Sequence, residues 1–596
     1  MAQPTAQTDR DLTSISEART LARRAKEAAP ALAELSQDQI DAIVDAMAAA
    51  VTPQAGALAR LAHEETGFGV VEDKVQKNLF ASQKVYDFIR PMKTVGVIRR
   101  LDDRKVIEIA EPFGVVAAIV PSTNPTSTAI YKILIAMKAR CPIVISPHPS
   151  ATRCITRVAE VMHEAARRAG APDGSINWMT TVTLEGTQEL MKARETAVIL
   201  ATGGMGLVRA AYSAGKPAYG VGPGNAPAYI ESTADVVKAV RDIVTGKTFD
   251  NGLLCSSENS VVCDAPLVGE VKRQFVANGG HFLSAADTEV LGRLLVTPQR
   301  LPNPKLVGRS AIYIAQQAGI SVPPGTRVLI AELAGVGRDF PLSIEKLCPV
   351  LSFYVVQDWR QGCERCKQIL RYGGMGHTMS IHSRNDDVIL QFGLKKPAFR
   401  IVVNTPTTLG SIGMTTGLDP SMTLGCGGYG GNITSDNISP RHLLNIKRLA
   451  YETNPAPVRA QAPAPVEGIP LPKAPTPPRV PGGIAAEPLA RRIDQFLASR
   501  GYTPPATAAV SPARDPAPAP APPASAPPTL PINAPAFEPP KPSASDKPAE
   551  FVCEDDVRQA MRQGRTIVLG ERTSVTPAAR DLGEQHRIFI QASWPR

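Results

Sequence analysis

The chain has 596 residues and a formal net charge of +10, a length that predicts several domains and ample chain for a large core. Charged residues make up 20% of the chain and aromatic residues 5%. The positive charge is spread out, without a dense Lys/Arg run interleaved with aromatic residues, so the composition argues against a nucleic-acid groove.

The N-terminal stretch MAQPTAQTDRDLTSISEARTLARRAKEAAP has charge and helical amphipathicity but no apolar signal-peptide segment. No later stretch of sequence approaches the roughly 18 apolar residues of a membrane helix. The nine cysteines are odd in number and scattered, which favours reduced thiols over a disulfide framework. The sequence therefore predicts a cytoplasmic protein that makes no membrane contact.

Helical patterns then alternate with short Val/Ile-rich runs, among them GVVAAIVP, CPIVISP, AVILATGG and FRIVVNTP. This alternation is typical of βαβ units and predicts an α/β fold with mostly parallel sheets.

A single cysteine stands in the stretch TFDNGLLCSSEN, Thr248 to Asn259. A helix is predicted before it (TADVVKAVRDIVTGKTF) and a strand after it (NSVVCD), so Cys255 lies in a loop. An accessible loop thiol can act as a nucleophile.

The pair Cys363 and Cys366 lies in a helical pattern without a second cysteine pair or nearby histidines. A structural role is therefore favoured over redox or metal chemistry, and no metal site is predicted.

From residue 454 the composition changes to Pro and Ala, and the segments 454–483 and 503–549 are predicted to be disordered linkers. Between them, residues 484–502 predict an amphipathic helix with Leu489, Ile493, Phe496 and Leu497 on one face. So short a helix is marginal alone. It either docks on its own catalytic domain or fits the groove of a partner.

Residues 550–596 predict a small α+β segment. Its predicted elements are a helix from Glu554 to Gln563, a strand from Thr566 to Leu569, a turn, a helix at TPAARDLGEQ and a final strand at RIFIQ. So small a segment is marginal by itself and predicts a partner or self-association.

The stretches PSTNPTS, CPIVISPHPS, LATGGMGLVRAAYSAG, VGPGNAPAYI, EKLCPV and TLGCGGYGG occur in that order. With them the sequence resembles the aldehyde dehydrogenase superfamily, and within it the CoA-acylating enzymes of the propionaldehyde and acetaldehyde type. The resemblance covers about Glu17 to Glu452. It implies a Rossmann-like NAD-binding domain over 1–232, with a return segment at about 430–453, and an α/β catalytic thiol domain over 233–429.

The resemblance makes Cys255 the nucleophile that attacks the aldehyde carbonyl. Asn124 matches the asparagine whose amide stabilises the resulting oxyanion together with a backbone N–H group; without the resemblance it is an ordinary turn former before Pro125.

The resemblance also implies a set of NAD-binding positions. Gly203 and Gly204 match a phosphate-side turn before a helix, and Glu345 matches a glutamate that contacts the nicotinamide ribose, although the sequence alone equally allows a surface acid. The full set of cofactor-binding positions is Pro121, Ser122, Thr123, Ser146, His148, Pro149, Gly203, Gly204, Gly222 and Glu345.

Hydrolytic relatives carry a general-base glutamate where this chain reads YGVGPGNAPAYI, Tyr219 to Ile230, without an acid. Without that base water attack is slow, so coenzyme A is predicted to accept the acyl group. His377 is a candidate base for the thiol, with a structural histidine as the alternative.

The helix at 484–502 resembles those that recruit enzymes to the shell of a bacterial microcompartment, and residues 550–596 resemble a module appended to microcompartment proteins. The resemblance implies a homo-oligomer in the microcompartment lumen that oxidises propionaldehyde or acetaldehyde. Two alternatives are an acylating dehydrogenase for a charged aldehyde, such as sulfoacetaldehyde or succinate semialdehyde, and a non-catalytic shell-organising protein.

Overall fold

The computed structural model describes residues 4–456, 486–499, 549–563, 565–586 and 588–591. The chain divides into two compact units, Met1–Ala462 and Pro463–Arg596. Most of both predicted linkers, 454–483 and 503–549, lies outside the described residues.

The helices are α1 (Pro4–Ala33), α2 (Gln37–Val51), α3 (Ala55–Thr66), α4 (Val71–Leu79), α5 (Val85–Ile89), α6 (Pro125–Lys138), α7 (Thr152–Arg168), α8 (Leu184–Lys192), α9 (Met205–Tyr212), α10 (Val236–Thr248), α11 (Val268–Ala277), α12 (Ala285–Leu295), α13 (Ala311–Ala318), α14 (Trp359–Tyr372), α15 (Asp386–Leu394), α16 (Thr407–Ser411), α17 (Ala486–Ser499), α18 (Glu554–Arg562) and α19 (Pro577–Gln585).

The strands are β1 (Gly96–Leu101), β2 (Val106–Pro112), β3 (Val115–Val120), β4 (Ile143–Pro147), β5 (Ile176–Trp178), β6 (Thr196–Thr202), β7 (Ala218–Val221), β8 (Ala226–Ile230), β9 (Glu258–Asp264), β10 (Gly280–Phe282), β11 (Val328–Glu332), β12 (Val350–Val356), β13 (Gly376–His382), β14 (Ala398–Val403), β15 (Leu444–Ala450), β16 (Ala549–Val552), β17 (Ile567–Val575) and β18 (Phe589–Gln591).

The first parallel sheet has the strand order β5-β4-β3-β6-β7. The chain moves outward from β3 through β4 to β5 and then returns to place β6 on the other side of β3. The connections that leave the carboxyl ends of β3 and β6 therefore run in opposite directions along the sheet, and such a switch point opens a crevice at the carboxyl ends of the strands. The segments that leave these two ends begin at Pro121 and Gly203.

The second parallel sheet has the order β10-β11-β12-β9-β8-β13-β14. The predicted α/β fold with parallel sheets is thus confirmed. The loop with Cys255 enters β9, the segment with Gly222 enters β8, and His377 lies near the start of β13. The amino ends of these strands meet at one sheet edge because neighbouring parallel strands share a direction. The predicted boundary between the two main domains, at 232/233, stays a prediction.

An antiparallel sheet, β1-β2-β15, joins residues near Gly96 to the stretch before Tyr451. It brings β15 back beside the start of β3 in the first parallel sheet, because Phe113 donates its backbone N–H to the Leu443 carbonyl at 3.0 Å.

One helical run, Gln37–Thr66, is long and apolar enough to cross a membrane by length and composition, although the sequence predicted no such run. It contains α2 and α3 and is interrupted by a 3-10 turn at Thr52–Gln54. Its apolar side chains Ile40 and Met47 are buried in the main core of the first unit. We therefore interpret it as a core segment.

Cys363 and Cys366 are both buried on α14. Among the described residues, no group of three or more His, Cys, Asp or Glu side chains could hold a metal ion. The two cysteines pack in a hydrophobic core beside α14.

The second unit contains a parallel sheet of order β16-β17-β18 with α18 and α19. Both helices form where the sequence predicted helices. The turn predicted after Leu569 is wrong, because β17 continues to Val575. Its pairing with β16 shifts register between Ala549 and Phe551, so the stretch GERTS after Leu569 forms an irregularity within the strand instead of a turn.

The helix predicted within 484–502 forms as α17, Ala486–Ser499. Its apolar side chains Leu489, Ile493 and Phe496 are 47%, 50% and 59% exposed. They recur at the spacing of one helix face, so α17 presents an apolar stripe on its surface.

Candidate active site

The carboxyl edge of the first sheet and the amino edge of the second sheet enclose a cavity of about 500 Å³. The predicted catalytic and cofactor-binding residues line it, whereas the candidate base His377 is not among its lining residues. The predicted residues that line the cavity are Pro121, Ser122, Thr123, Asn124, Ser146, His148, Pro149, Gly203, Gly204, Gly222, Cys255 and Glu345. Segments distant in sequence thus form one site of the size of small-molecule pockets.

Cys255 lies in the short connection between a 3-10 turn, Phe249–Gly252, and β9. Neighbouring backbone bonds fix this connection: Ser257 donates its N–H to the Leu254 carbonyl at 2.9 Å, and Ser256 donates its hydroxyl to the Thr408 carbonyl at 3.1 Å. The thiol residue itself is only partly buried. It is therefore held in place yet open to the cavity.

Burial raises the pKa of the Cys255 thiol to about 12, with a further contribution from Glu345. Positive charge on Arg400 acts in the opposite direction but is a smaller effect. The resting thiol is therefore protonated at neutral pH, and attack requires a base that removes the proton.

Asn124 lies between β3 and α6, where Pro125 is the first helical residue. Its Nδ2 donates to Thr123 Oγ1 at 3.2 Å and weakly to the Leu253 carbonyl at 3.4 Å. Leu253 is in the same loop as Cys255. The Nδ2 end of the amide therefore faces the nucleophile loop, as stabilisation of an oxyanion near Cys255 requires.

Two charged residues that lie beside Asn124, namely Lys77 and Asp250, were not predicted from the sequence. Lys77 on α4 donates to Asn124 Oδ1 at 2.6 Å and also to Asp250. Both are essentially fully buried. The pattern VEDKVQKN looks like an exposed helix face, and Asp250 before Asn251-Gly looks like a turn former, so no local signal marks either residue.

The turn after β6 fits a phosphate-bearing cofactor. Gly204 caps α9 without a side-chain hydrogen bond to the first helical N–H groups, and a Cβ added to it would meet open space. The hydroxyl of Thr202 is buried, lines the cavity, and has no hydrogen-bond partner among the described residues. Free N–H groups at a helix start and an unused hydroxyl suit an anionic phosphate.

The turn after β4 forms another wall. Ser146 and Thr187 share a hydrogen bond of 2.8 Å between their hydroxyls. His148 and Pro149 are exposed, and His148 Nδ1 accepts the Ser150 backbone N–H at 3.2 Å. Thr187 and neighbouring residues on and before α8 line the same wall, which sequence reasoning did not include.

Glu345 is buried, which excludes the alternative of a surface acid. Its Oε1 accepts the Gly224 backbone N–H at 2.8 Å. Burial raises the pKa of Glu345 to about 8, partly offset by that hydrogen bond and by Lys247. The group is therefore largely protonated at neutral pH and is a poor general base there.

The stretch that carries a base in hydrolytic relatives here contributes Gly222 and Gly224. A Cβ on Gly224 would come within 2.1 Å of the Cys255 carbonyl oxygen and 3.2 Å of the His377 ring, so the close approach of these segments requires glycine. The next acid, Glu231, bonds to Ser232, Thr233 and Ser383 hydroxyls. Glu345 is the sole carboxylate among the described residues that line the cavity.

His377 is buried, and neither ring nitrogen has a hydrogen-bond partner among the described residues. Burial and the nearby Arg400 lower its pKa to about 3. The imidazole is therefore neutral at physiological pH and keeps a free acceptor nitrogen. Its ring lies against Gly224, at the same position where a Cβ would also meet the Cys255 backbone carbonyl.

The sequence was compared with protein families and with known proteins. Residues 7–281 match the profile of the aldehyde dehydrogenase family. The chain is 41% identical over 444 residues to the bifunctional aldehyde-alcohol dehydrogenase AdhE of Escherichia coli (strain K12), a match that covers 74% of this chain and 50% of that protein. The chain thus spans about half the length of this curated relative.

Two solved structures share the fold. An acetylating aldehyde dehydrogenase from Geobacillus thermoglucosidasius is 49% identical, with a TM-score of 0.74 and coverage of 75% of this chain and 99% of that one. A propionaldehyde dehydrogenase from the Clostridium phytofermentans fucose utilisation bacterial microcompartment is 28% identical, with a TM-score of 0.65 and coverage of 72% and 96%.

Proposed function

The chain belongs to the aldehyde dehydrogenase family, and on that premise we propose that it is an NAD-dependent, CoA-acylating dehydrogenase of propionaldehyde or acetaldehyde. The observation that carries the proposal is the cavity in which Cys255, Asn124 and a phosphate-type turn meet and in which the one carboxylate among the described lining residues, Glu345, is largely protonated. The similarity to an acetylating enzyme over nearly its whole length supports the same activity.

In this proposal Cys255 attacks the aldehyde carbon and forms a C–S bond while the carbonyl π electrons move to oxygen. The Nδ2 group of Asn124 and the Cys255 backbone N–H donate to that oxygen. His377, with a free acceptor nitrogen, takes the thiol proton. Leu253 and Leu347 also line the cavity, which supports a small uncharged aldehyde over an anionic one.

NAD, when bound, accepts the hydride that leaves the carbon. The turn at Thr202 to Gly204 and the start of α9 would hold its phosphates, Ser146, His148 and Pro149 would line its adenosine side, and Glu345 would contact its ribose. Collapse of the oxyanion leaves an acyl thioester on Cys255.

The second half reaction transfers the acyl group to the CoA sulfur. A CoA thiolate attacks the thioester carbonyl, the C–S bond to Cys255 breaks, and the thiolate of Cys255 returns. Water competes poorly because Gly222 and Gly224 occupy the place of the hydrolytic base and Glu345 is largely protonated. The net reaction converts aldehyde, CoA and NAD to acyl-CoA, NADH and a proton.

A direct test measures NADH formation from propionaldehyde with and without CoA. With CoA we expect sustained turnover and propionyl-CoA as the product. Without CoA we expect about one NADH per active site and then a stop, because the thioester has no acceptor. Sustained CoA-independent turnover to propionate would remove the acylating assignment, and no NADH with any aldehyde would favour a shell-organising protein.

We also propose that the enzyme works in the lumen of a bacterial microcompartment and that α17 binds a shell protein. The exposed stripe of Leu489, Ile493 and Phe496 supports this, since such a face fits an apolar groove. The similarity to a microcompartment propionaldehyde dehydrogenase adds support.

Removal of residues 454–596 is expected to leave turnover nearly unchanged and to abolish co-purification with shells. A sharper variant replaces Leu489, Ile493 and Phe496 with serine in the full chain. Its matched control replaces Arg491 and Asp494, exposed residues of the same helix, and should keep shell binding. Shell association of the truncated enzyme would refute the role of the tail.

We further propose a homo-oligomer. The strand β14 forms one edge of the second sheet, and Phe399 and Val403 on it are 42% and 38% exposed. An edge strand with exposed apolar side chains favours pairing with another chain.

A further inference from the structure

A buried ammonium group joins the two halves of the catalytic site. Lys77 is 1% exposed, and its Nζ donates both to Asn124 Oδ1, at 2.6 Å, and to the Asp250 carboxylate. Asn124 follows the first sheet, whereas Asp250 lies in the 3-10 turn that leads to Cys255. The Lys77 Nζ atom therefore hydrogen-bonds both to the segment with Asn124 and to the loop before Cys255. The proposed chemistry depends on the spacing of these two segments.

The contact determines which end of the Asn124 amide faces the substrate. An ammonium has only donors, while the amide has an acceptor oxygen and a donor NH₂ group. Lys77 therefore holds Oδ1 on its own side and leaves Nδ2 turned toward the loop of Leu253. The flipped amide would set its NH₂ against the ammonium and its oxygen against the developing oxyanion, so both contacts would be repulsive.

The same ammonium holds the loop of the nucleophile. Asp250 and Asn251 have positive φ values of 48° and 53°, a conformation that is unfavourable for non-glycine residues and persists where neighbours impose it. Asp250 is tied down by Lys77 and by the Val70 backbone N–H, which donates to it at 2.7 Å. The loop geometry before Cys255 thus depends on the Asp250 carboxylate, which also forms the ion pair with Lys77.

We propose that Lys77 is a positioning residue for catalysis: it orients the Asn124 amide and fixes its spacing from the Cys255 loop. The ammonium also polarises the amide through its oxygen, which strengthens the Nδ2 hydrogen bond to the substrate oxyanion. This inference rests on the proposed role of Asn124 as an oxyanion donor.

The chain offers a matched control in Lys74. It lies on the same helix, is also 1% exposed, and donates to the same Asp250 Oδ2 atom at 3.1 Å. Its hydrogen bonds among the described residues do not include Asn124. Replacing either lysine with methionine removes one buried ammonium beside Asp250 and leaves the other, but only Lys77→Met frees the amide.

The test compares Lys77→Met and Lys74→Met, each alone and combined with Asn124→Ala, by steady-state rates with CoA and by NAD affinity. We expect Lys77→Met to lower kcat about 10- to 100-fold, as misplaced catalytic groups do, with NAD affinity unchanged. Lys74→Met should lower kcat by less than about threefold. In the Asn124→Ala background Lys77→Met should add less than about twofold, because both changes remove the same interaction.

Equal losses from the two lysine variants, or a full additional loss from Lys77→Met without the Asn124 amide, would show a merely structural role. If Lys77→Met does not fold, Lys77→Gln supplies the same comparison: a kcat loss of at least about tenfold that disappears in the Asn124→Ala background. Wild-type turnover of Asn124→Ala alone would instead refute the proposed role of Asn124, so the two failures are distinguishable.

Discussion

Replacing Cys255 with alanine is expected to abolish aldehyde oxidation while NAD still binds. The loss should be on the order of 10⁴-fold or more, because removal of a covalent nucleophile eliminates the reaction path rather than weakening one contact. The fold should persist, since the side chain is only partly buried and faces the cavity. Stopped-flow NADH formation measures the loss, and NAD titration checks the site.

Cys263→Ala is the matched control. Cys263 lies on β9, the strand that Cys255 precedes, and is fully buried in the core of the second sheet. The variant removes a thiol of the same segment without touching the cavity, so we expect some loss of stability and near-normal turnover. Aldehyde oxidation by Cys255→Ala at more than a few per cent of the normal rate would mean that another group is the nucleophile.

Replacing Asn124 with alanine is expected to lower kcat by about 10²–10³-fold, the usual cost of removing one oxyanion donor. The KM for NAD should change little, because the amide acts on charge that develops only in the transition state. Saturation kinetics with propionaldehyde, CoA and NAD separate these effects.

Asn124→Asp separates the lost donor from lost packing. Aspartate has nearly the same shape and can keep the contact with Lys77, but it presents no N–H group to the substrate oxygen. We expect it to be at least as slow as Asn124→Ala. A normal rate for the aspartate variant would show that the amide hydrogen atoms do not serve the reaction.

Much of the site was predictable because its residues follow recognisable strands. The runs GVVAAIVP and AVILATGG become β3 and β6, and strand direction alone brings Asn124 and Gly203 to one sheet edge. Cys255 was marked by the small polar loop between a helix and a strand. The resemblance to a family then supplied their roles, which stay predictions until the variants are measured.

Other features depend on tertiary contacts that leave no local pattern. Lys77 looks like a surface lysine, yet α4 packs between the start of α6 and a loop far along the chain, where Asp250 neutralises its charge. Glu345 could equally have been a surface acid, and only its burial and its bond to Gly224 decide between the alternatives. Helix propensity could not show that Gln37–Thr66 belongs to a core.

The strand β17 shows the same limit in the second unit. Its residues after Leu569 begin with glycine and are otherwise polar (GERTS), a pattern typical of a turn, and the strand continues because β16 pairs with it after a shift in register. Pairing with a partner strand thus overrides local turn chemistry.

The most direct test of the account is to identify what carries the acyl group between the two half reactions. The enzyme is mixed with propionaldehyde and NAD without CoA, quenched, digested and mapped by mass spectrometry; a second sample receives CoA before the quench. We expect a propionyl thioester on Cys255 in the first sample, and its replacement by propionyl-CoA in the second. An adduct on a different side chain, or free propionate as the sole product when CoA is present, would contradict it.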